Sequence, residues 1–251
     1  MDPIVTALEE QQAELATIMD RMTEIEWRAP TRCEGWTTSD VVLHLAQSDE
    51  MAVASASGRF PRSGGDGTTD WNGTQSVDEG VARMVERERG IGIVDLRERW
   101  TSTARELVRV LDHMDLSTRV PWVAGDLSAR TLATTRMAET WIHAGDVGDA
   151  IGVALEQTGR LRLVARLAWR TLPYAFASAG RTMAGPIAFR LTSPGGEPWD
   201  FLPEEPATTT ITGPAADLCA VAARRADPSA TSLHGEGPDA ANVLALVRTY
   251  A

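Results

Sequence analysis

Two histidines and a glutamate have the residue types and spacing of a divalent-metal site. Glu139 and His143 lie four residues apart, so on a helix both side chains share one face and can reach a single ion. His44 is the best candidate for a third ligand, because it lies among apolar residues in a second predicted helix, Ser39–Ser57. Three protein ligands leave one position of a tetrahedral ion open, as catalytic zinc sites do. The trio therefore predicts a metal-dependent enzyme.

Two neighbouring charged residues are placed to orient these ligands. Asp146 follows His143 by three residues, where a carboxylate can accept the second imidazole N–H and fix the tautomer of the ring. Arg136 precedes Glu139 by three residues, where a guanidinium can neutralise or orient the carboxylate. We expect both residues to support the ligands rather than to bind the ion.

Other polar residues near the predicted ligands carry weaker signals. Asp49 and Glu50 follow His44 by a little over one helical turn, and they fit an approach to the ion and a solvated helix end equally well. Cys33 and Cys219 are far apart and form no CxxC pair, which is typical of reduced thiols that bind no metal.

Hydrophobic periodicity predicts the elements that hold these residues. Four helical regions are expected in the first part of the chain, the third interrupted near Gly90 and Gly92: Pro3–Met22, Ser39–Ser57, Val77–Met114 and about Ser128–Ile151. Helices of this length favour an antiparallel bundle, in which metal ligands face one another in the core. The polar segment 57–76, with Trp71, is expected to be a long loop of the kind that covers a site.

After Gly159 the pattern changes to a mixture of helices and short strands. The sequence predicts helices at Leu161–Ala179, kinked by Pro173, at Ala215–Ala226 and at Asp239–Tyr250, with strands at Ile187–Leu191, Trp199–Phe201 and Thr208–Thr212. The predicted fold class is therefore α+β, with a four-helix bundle over residues 1–155 and a smaller C-terminal α/β domain over residues 156–251.

Composition excludes several classes of partner. The chain has 251 residues and a formal net charge of -11, which argues against binding to nucleic acid or to anionic membrane surfaces. Its N-terminal region lacks the apolar core of a signal peptide, and no apolar run approaches the length of a membrane span. We expect a cytoplasmic protein whose partners are small molecules.

Several stretches of the sequence resemble the mycothiol-dependent maleylpyruvate isomerases, a family of the DinB-like metalloenzyme superfamily. The stretches are Trp27, Pro30–Trp36, Asp40–Ala46 and Arg136–Asp146. The resemblance spans nearly the whole chain and implies that His44, Glu139 and His143 bind a divalent metal, usually zinc. It also implies that the C-terminal domain closes over the metal cleft and supplies an arginine, for which Arg224 and Arg225 are both candidates.

The resemblance further implies mycothiol, a low-molecular-weight thiol, as a second cofactor. A coordinating cation makes the reactive thiolate available at neutral pH. The thiolate would add to the cis double bond of a keto-diacid, and elimination after rotation would give the trans isomer, while Arg224 or Arg225 binds the acidic substrate. Many relatives transfer thiols instead, so isomerase and transferase activities are both expected. Two alternatives stay open: a hydrolase or lyase that uses metal-bound water without a thiol, and a non-enzymatic small-molecule-binding protein with a structural metal.

Overall fold

The chain folds into two compact units. The computed structural model describes residues 1–60, 76–123 and 125–249, so most of the predicted loop at 57–76, including Trp71, lies outside the described residues. Contacts divide the chain into Met1–Leu155 and Glu156–Ala251. The described residues combine α-helices with a small mixed sheet, which confirms the predicted α+β class. None of the helices in the described ranges has the length and apolar character that a membrane crossing requires.

The first unit is built on four helices that pack against one another. They are α1 (Pro3–Met19), α2 (Thr38–Ala56), α4 (Ile93–Asp112) and α5 (Ala129–Ile151), and a shorter helix, α3 (Val77–Glu88), packs on α2. Two short antiparallel strands, β1 (Arg119–Val120) and β2 (Leu127–Ser128), precede α5. The third predicted helical region is thus two helices, α3 and α4, separated near Gly90 and Gly92.

Local hydrogen bonds set the first turns of the two helices that carry the predicted ligands. At α2, the Asp40 backbone N–H donates to the Thr37 hydroxyl, and the Asp40 carboxylate accepts from the Thr37 N–H, which together form a capping box. At α5, Ser128 accepts from the Thr131 N–H. The α5 helix ends at Gly152, which adopts φ 75°, a left-handed conformation that favours glycine.

Both helices are buried on most of their surface. The apolar core around them includes large side chains from α1, α2 and α4 and from the Glu26–Arg28 3₁₀ turn: Leu15, Met19, Trp27, Leu43, Leu45, Leu96 and Trp100. A close approach at the end of α5 depends on Gly148, because a β-carbon there would overlap the Val153 carbonyl oxygen. The buried polar side chains on α2 and α5 therefore require hydrogen-bond partners.

The second unit contains a four-stranded sheet with helices before and after it. Its elements are α6 (Leu161–Arg170), α7 (Leu172–Ser178), β3 (Ile187–Thr192), β4 (Pro198–Phe201), β5 (Thr209–Pro214), α8 (Ala215–Ala222), β6 (His234–Glu236) and α9 (Ala240–Leu246). The strand order is β4-β3-β5-β6, with β3 and β5 parallel and the other pairs antiparallel. Helix α6 packs on α8, and the buried Phe189 and Ile211 are paired in the register of β3 and β5.

Several predicted helices differ from the observed ones for local reasons. The single kinked helix predicted at Leu161–Ala179 is two helices that meet at Thr171, because Pro173 has no N–H to continue the first helix and its ring would clash with a preceding carbonyl. Helix α8 ends at Ala222, four residues before the predicted end, and Arg224 follows in the left-handed region with φ 57°. Helices α1 and α9 are likewise shorter than predicted.

Candidate metal centre

The structure brings the three predicted ligand side chains together between α2 and α5. The Nε2 atoms of His44 and His143 each lie 3.6 Å from the same Glu139 oxygen, Oε2. All three side chains are buried, with 6–8% of their surface exposed. Within the described part of the chain, no fourth His, Cys, Asp or Glu ligand atom joins this trio within 4.8 Å.

These separations fit ligands that share an ion. A distance of 3.6 Å exceeds that of a good N–H···O hydrogen bond, roughly 2.7–3.2 Å. It is close to the edge of a tetrahedron whose ligand bonds are about 2.0–2.1 Å long, which is roughly 3.4 Å. Two imidazoles and one carboxylate also match the His₂Glu donor set of catalytic zinc sites. The donor chemistry and the spacing therefore both suit a divalent ion.

The two histidines differ in their hydrogen-bond partners and hence in their pKa. Burial lowers the pKa of His44 to about 4, because its proximity to Glu139 offsets only part of the desolvation. Burial also disfavours the charged form of His143, but its hydrogen bond with Asp146 and its proximity to Cys33 and Glu139 outweigh the burial and raise its pKa well above the ordinary value. In the metal-free protein, His143 is the imidazole that retains the proton.

Glu139 is ionised despite its burial. Desolvation alone would raise its pKa, but the nearby imidazoles of His143 and His44 hold it far below the ordinary value of a glutamate. An ionised carboxylate beside two imidazoles supplies a negative charge to compensate a divalent cation.

Asp146 holds the imidazole of His143 from the side opposite the trio. The His143 Nδ1 atom lies 2.9 Å from Asp146 Oδ2, so an N–H at Nδ1 donates to the carboxylate and Nε2 is the ring nitrogen that faces Glu139. The thiol of Cys33 donates to the same Asp146 oxygen at 3.3 Å. The sequence predicts for Cys33 only a reduced thiol that binds no metal. Cys33 nevertheless lies in the Pro30–Trp36 stretch that carries part of the family resemblance, and this position was the one signal of a role near the site.

Arg136 contacts a residue other than the one that the sequence suggested. Its Nε atom donates to Asp49 Oδ1 at 2.9 Å, and both side chains are buried. Its positive charge nevertheless contributes to the low pKa of Glu139. Asp49 is thus a buried partner on α2, which excludes the solvated helix end considered for it, whereas Glu50 binds Arg99.

Trp36 covers one of the imidazoles. Its ring lies 5.4 Å from that of His44, measured between centroids, and the His44 and His143 rings are 4.9 Å apart in an edge-to-face arrangement. Trp122, a second tryptophan in a connecting segment, packs against Phe60 at 5.9 Å. His44 therefore has two aromatic neighbours, the rings of Trp36 and His143.

The two candidate arginines for substrate binding belong to the second unit. Arg224 is exposed, and it is the only described non-glycine residue with a positive φ. Arg225 is half-buried and donates through Nη1 to the Ala223 carbonyl at 2.9 Å. Their participation in a site stays a prediction.

The first unit is a helical bundle that brings together two histidines and a glutamate, an arrangement similar to the sites of bundle-type metalloproteins. The sequence model of the mycothiol maleylpyruvate isomerase N-terminal domain matches residues 8–148, more than half of the chain. The protein belongs to this family, as the sequence resemblance predicted.

Similarity to individual proteins extends over both units. Two uncharacterized proteins from strains of Mycobacterium tuberculosis are each 28% identical over 250 residues, covering 99% of this chain and 95% of theirs. Crystal structures of the mycothiol-dependent maleylpyruvate isomerase and of a histidine-to-alanine mutant of it each match with a TM-score of 0.60. The match covers 94% of both chains at 18% identity, and it shows that the fold is shared.

Proposed function

We propose that this protein is a metal-dependent enzyme that uses mycothiol for cis–trans isomerisation or thiol transfer on a small acidic or electrophilic substrate. The observation that carries the proposal is the convergence of the His44 and His143 Nε2 atoms on one Glu139 oxygen, each at 3.6 Å. Membership of the mycothiol maleylpyruvate isomerase family supports the thiol and the isomerase-like chemistry. Zinc is the ion we propose, because imidazole and carboxylate ligands in a three-residue set suit it.

The candidate site combines residues that would bind or orient the ion with a buried position that limits access of water. His44 and His143 would hold the ion through Nε2, and Glu139 would compensate part of its positive charge. Asp146 keeps the N–H of His143 on Nδ1, so that Nε2 is available as a ligand. A bound divalent ion would lower the pKa of a coordinated thiol and so supply a thiolate at neutral pH. Burial of the trio keeps water from competing for the site.

We assign Arg224 and Arg225 to the substrate. A guanidinium is always charged and presents a planar fork of donors that matches a carboxylate, so either residue suits the carboxylates of a keto-diacid. The left-handed conformation of Arg224 supports this assignment, because uncommon backbone conformations persist where the structure enforces them and cluster at functional sites.

The metal and the thiol are tested together in wild type and in two histidine variants. We expect one divalent ion per wild-type chain, and loss of both the ion and mycothiol binding in His143→Ala, because two remaining ligands hold zinc poorly. The control is His234→Ala, since His234 is exposed and lies in the second unit; it should retain both. Metal content by elemental analysis and mycothiol binding by calorimetry measure these quantities. A folded wild type that binds no divalent ion would overturn the proposal.

Turnover separates the proposed chemistry from the alternatives. Conversion of maleylpyruvate, or capture of an electrophile, only when mycothiol is present would support the thiol-dependent enzyme. Turnover that is indifferent to the thiol would favour a hydrolase or lyase in which water is the nucleophile. Metal removal that unfolds the protein, without turnover under either condition, would favour a structural ion.

A further inference from the structure

A buried ion pair joins the same two helices that carry the candidate ligands. Arg136 on α5 donates through Nε to Asp49 Oδ1 on α2 at 2.9 Å, and their exposed fractions are 2% and 0%. Asp49 follows His44 by five residues, and Arg136 precedes Glu139 by three. The ion pair therefore crosses between α2 and α5 about one helical turn from the point where His44 meets Glu139.

A contribution to folding stability does not account for this pair. Burying two charges is costly, and replacing a buried ion pair with apolar side chains often leaves stability unchanged or higher. The pair also makes one hydrogen bond instead of the two of a bidentate contact. Asp49 Oδ2 and Arg136 Nη2 are buried and have no hydrogen-bond partner among the described residues. Each of these atoms carries a desolvation penalty that no described contact repays.

Electrostatics relate the pair to the ligand Glu139. Burial raises the pKa of Asp49, Arg136 opposes that rise, and the charge of Glu139 adds to it. The charges of Arg136 and Glu139 thus act on Asp49 in opposite directions, and the guanidinium reduces the repulsion between the two buried carboxylates. At 2% exposure, Arg136 is not accessible to a substrate, so its action passes through other residues.

We propose that Asp49 and Arg136 are positioning residues of the metal centre, whose ion pair fixes α2 against α5 at the spacing that His44 and Glu139 need to share an ion. The inference rests on the proposed metal site and goes beyond it by giving a role to two residues outside the ligand set. The proposal makes this ion pair different from the other interhelical ion pairs of the bundle, because substitution of those pairs should not change the positions of the ligands.

The chain offers a matched control for this assignment. Glu50, the next residue of α2, forms a bidentate ion pair with Arg99 of α4, with N···O distances of 2.6 and 2.8 Å. That pair links α2 to a helix without a candidate ligand. Removing it disturbs α2 at the neighbouring position but leaves the α2–α5 link intact.

The test compares the double variants Asp49→Val/Arg136→Met and Glu50→Val/Arg99→Met in the full-length protein. We expect zinc affinity, measured by competition with a chromophoric chelator, to fall at least about tenfold in the first, which is the usual scale for residues that orient ligands. It should stay within about twofold of wild type in the control. The visible spectrum of the Co²⁺ form should change only in the first variant, since that spectrum reports ligand geometry and not stability.

Single substitutions test the positioning role of Asp49 and Arg136 if the first double variant does not fold. Arg136→Lys keeps a cation able to make the one bond to Asp49, so it should retain the wild-type zinc affinity and Co²⁺ spectrum. Asp49→Asn keeps the acceptor but loses the charge, and it should bind zinc several-fold more weakly. Wild-type affinity in Asp49→Asn, or equal losses in the two double variants, would overturn the inference.

A wild type that binds no metal would refute the proposed function. The effect of the ion pair on the spacing of the two helices would then be tested by comparing crystal structures. The separation of His44 Nε2 and Glu139 Oε2 should change by more than about 0.5 Å, the usual tolerance of a preorganised site, between wild type and Asp49→Asn. An unchanged separation would refute the positioning role itself.

Discussion

At the scale of single residues, one oxygen of Asp146 accepts two hydrogen bonds that bear on His143. Oδ2 accepts from the His143 Nδ1–H at 2.9 Å and from the Cys33 thiol at 3.3 Å. Carboxylates that orient a metal-binding imidazole typically contribute about 10–100-fold to metal affinity. Asp146→Asn should therefore lower the zinc affinity by about 10–100-fold while the protein still folds. Competition with a chelator measures the change.

The control for this substitution lies one turn further along α5. Asp149 is exposed, and within the described ranges its side chain makes a long contact, 3.7 Å, with Arg32. Asp149→Asn therefore makes the same chemical change away from the ligands. It should leave zinc affinity at the wild-type value. Equal affinities for the Asp146 and Asp149 variants would contradict the orienting role of Asp146.

The raised pKa of His143 predicts that metal binding depends on pH. Because its pKa lies well above the ordinary value in the metal-free protein, His143 is protonated at neutral pH, and the ion must displace that proton to reach Nε2. His44, with a pKa near 4, is already neutral and releases none. Zinc affinity should therefore rise with pH, by about tenfold per unit below the pKa of His143.

Calorimetry in buffers with different heats of ionisation counts the protons released. One proton per zinc at pH 7 is expected for wild type. Release of none would mean that His143 is neutral in the metal-free protein and that the hydrogen bond it donates to Asp146 does not hold a charge on the imidazole.

The sequence identified the candidate ligands more readily than their supporting residues. Glu139, His143 and Asp146 share one helix, so their spacing alone places them on neighbouring positions. Cys33 and Asp49 lie 113 and 87 residues from their partners Asp146 and Arg136, and no periodicity relates residues at such distances. Their roles depend on how α2, α5 and the preceding loop pack, which only the structure reveals.

At the scale of secondary-structure elements, the capping box of α2 fixes the start of the helix that carries His44. Thr37 accepts from the Asp40 backbone N–H and donates its hydroxyl to the Asp40 carboxylate at 2.8 Å. Thr37→Ala removes both bonds and should lower the free energy of unfolding by about 1 kcal/mol. Urea unfolding of the metal-free protein measures the loss.

Thr134→Ala is the control for the cap, because Thr134 is half-buried within α5 and its hydroxyl donates to the Arg130 carbonyl of its own helix. Alanine has the higher helix propensity, so stability should be unchanged or slightly higher. A loss in Thr134→Ala equal to that in Thr37→Ala would show that general helix effects, not the cap, determine the result.

Helix positions followed from periodicity, but several helix ends did not. The start of α2 carries a clear capping signal, whereas the end of α8 depends on Arg224 entering the left-handed region, which arginine rarely does. The sequence predicted one helix with a kink at Pro173, whereas the structure has two separate helices. The parallel pairing of β3 with β5 is a long-range contact that short strand patterns do not specify.

At the scale of the whole molecule, the two units carry different parts of the proposed chemistry. The residues that form the candidate metal centre all belong to the first unit, with its own core of large apolar side chains. The arginines assigned to the substrate belong to the second. We therefore expect metal binding and turnover to be separable.

A chain of residues 1–155 should fold and bind one zinc ion with near wild-type affinity, yet show no turnover. In the full-length protein, Arg224→Ala/Arg225→Ala should keep the zinc and lose turnover of acidic substrates by at least about tenfold, because the carboxylates lose a charged partner. Arg166→Ala, an exposed arginine of α6, should leave both unchanged. Circular dichroism, metal analysis and steady-state kinetics provide the three readouts. A folded 1–155 chain without zinc would mean that the second unit contributes to the metal site. Full turnover in the double variant would mean that residues other than Arg224 and Arg225 bind the substrate.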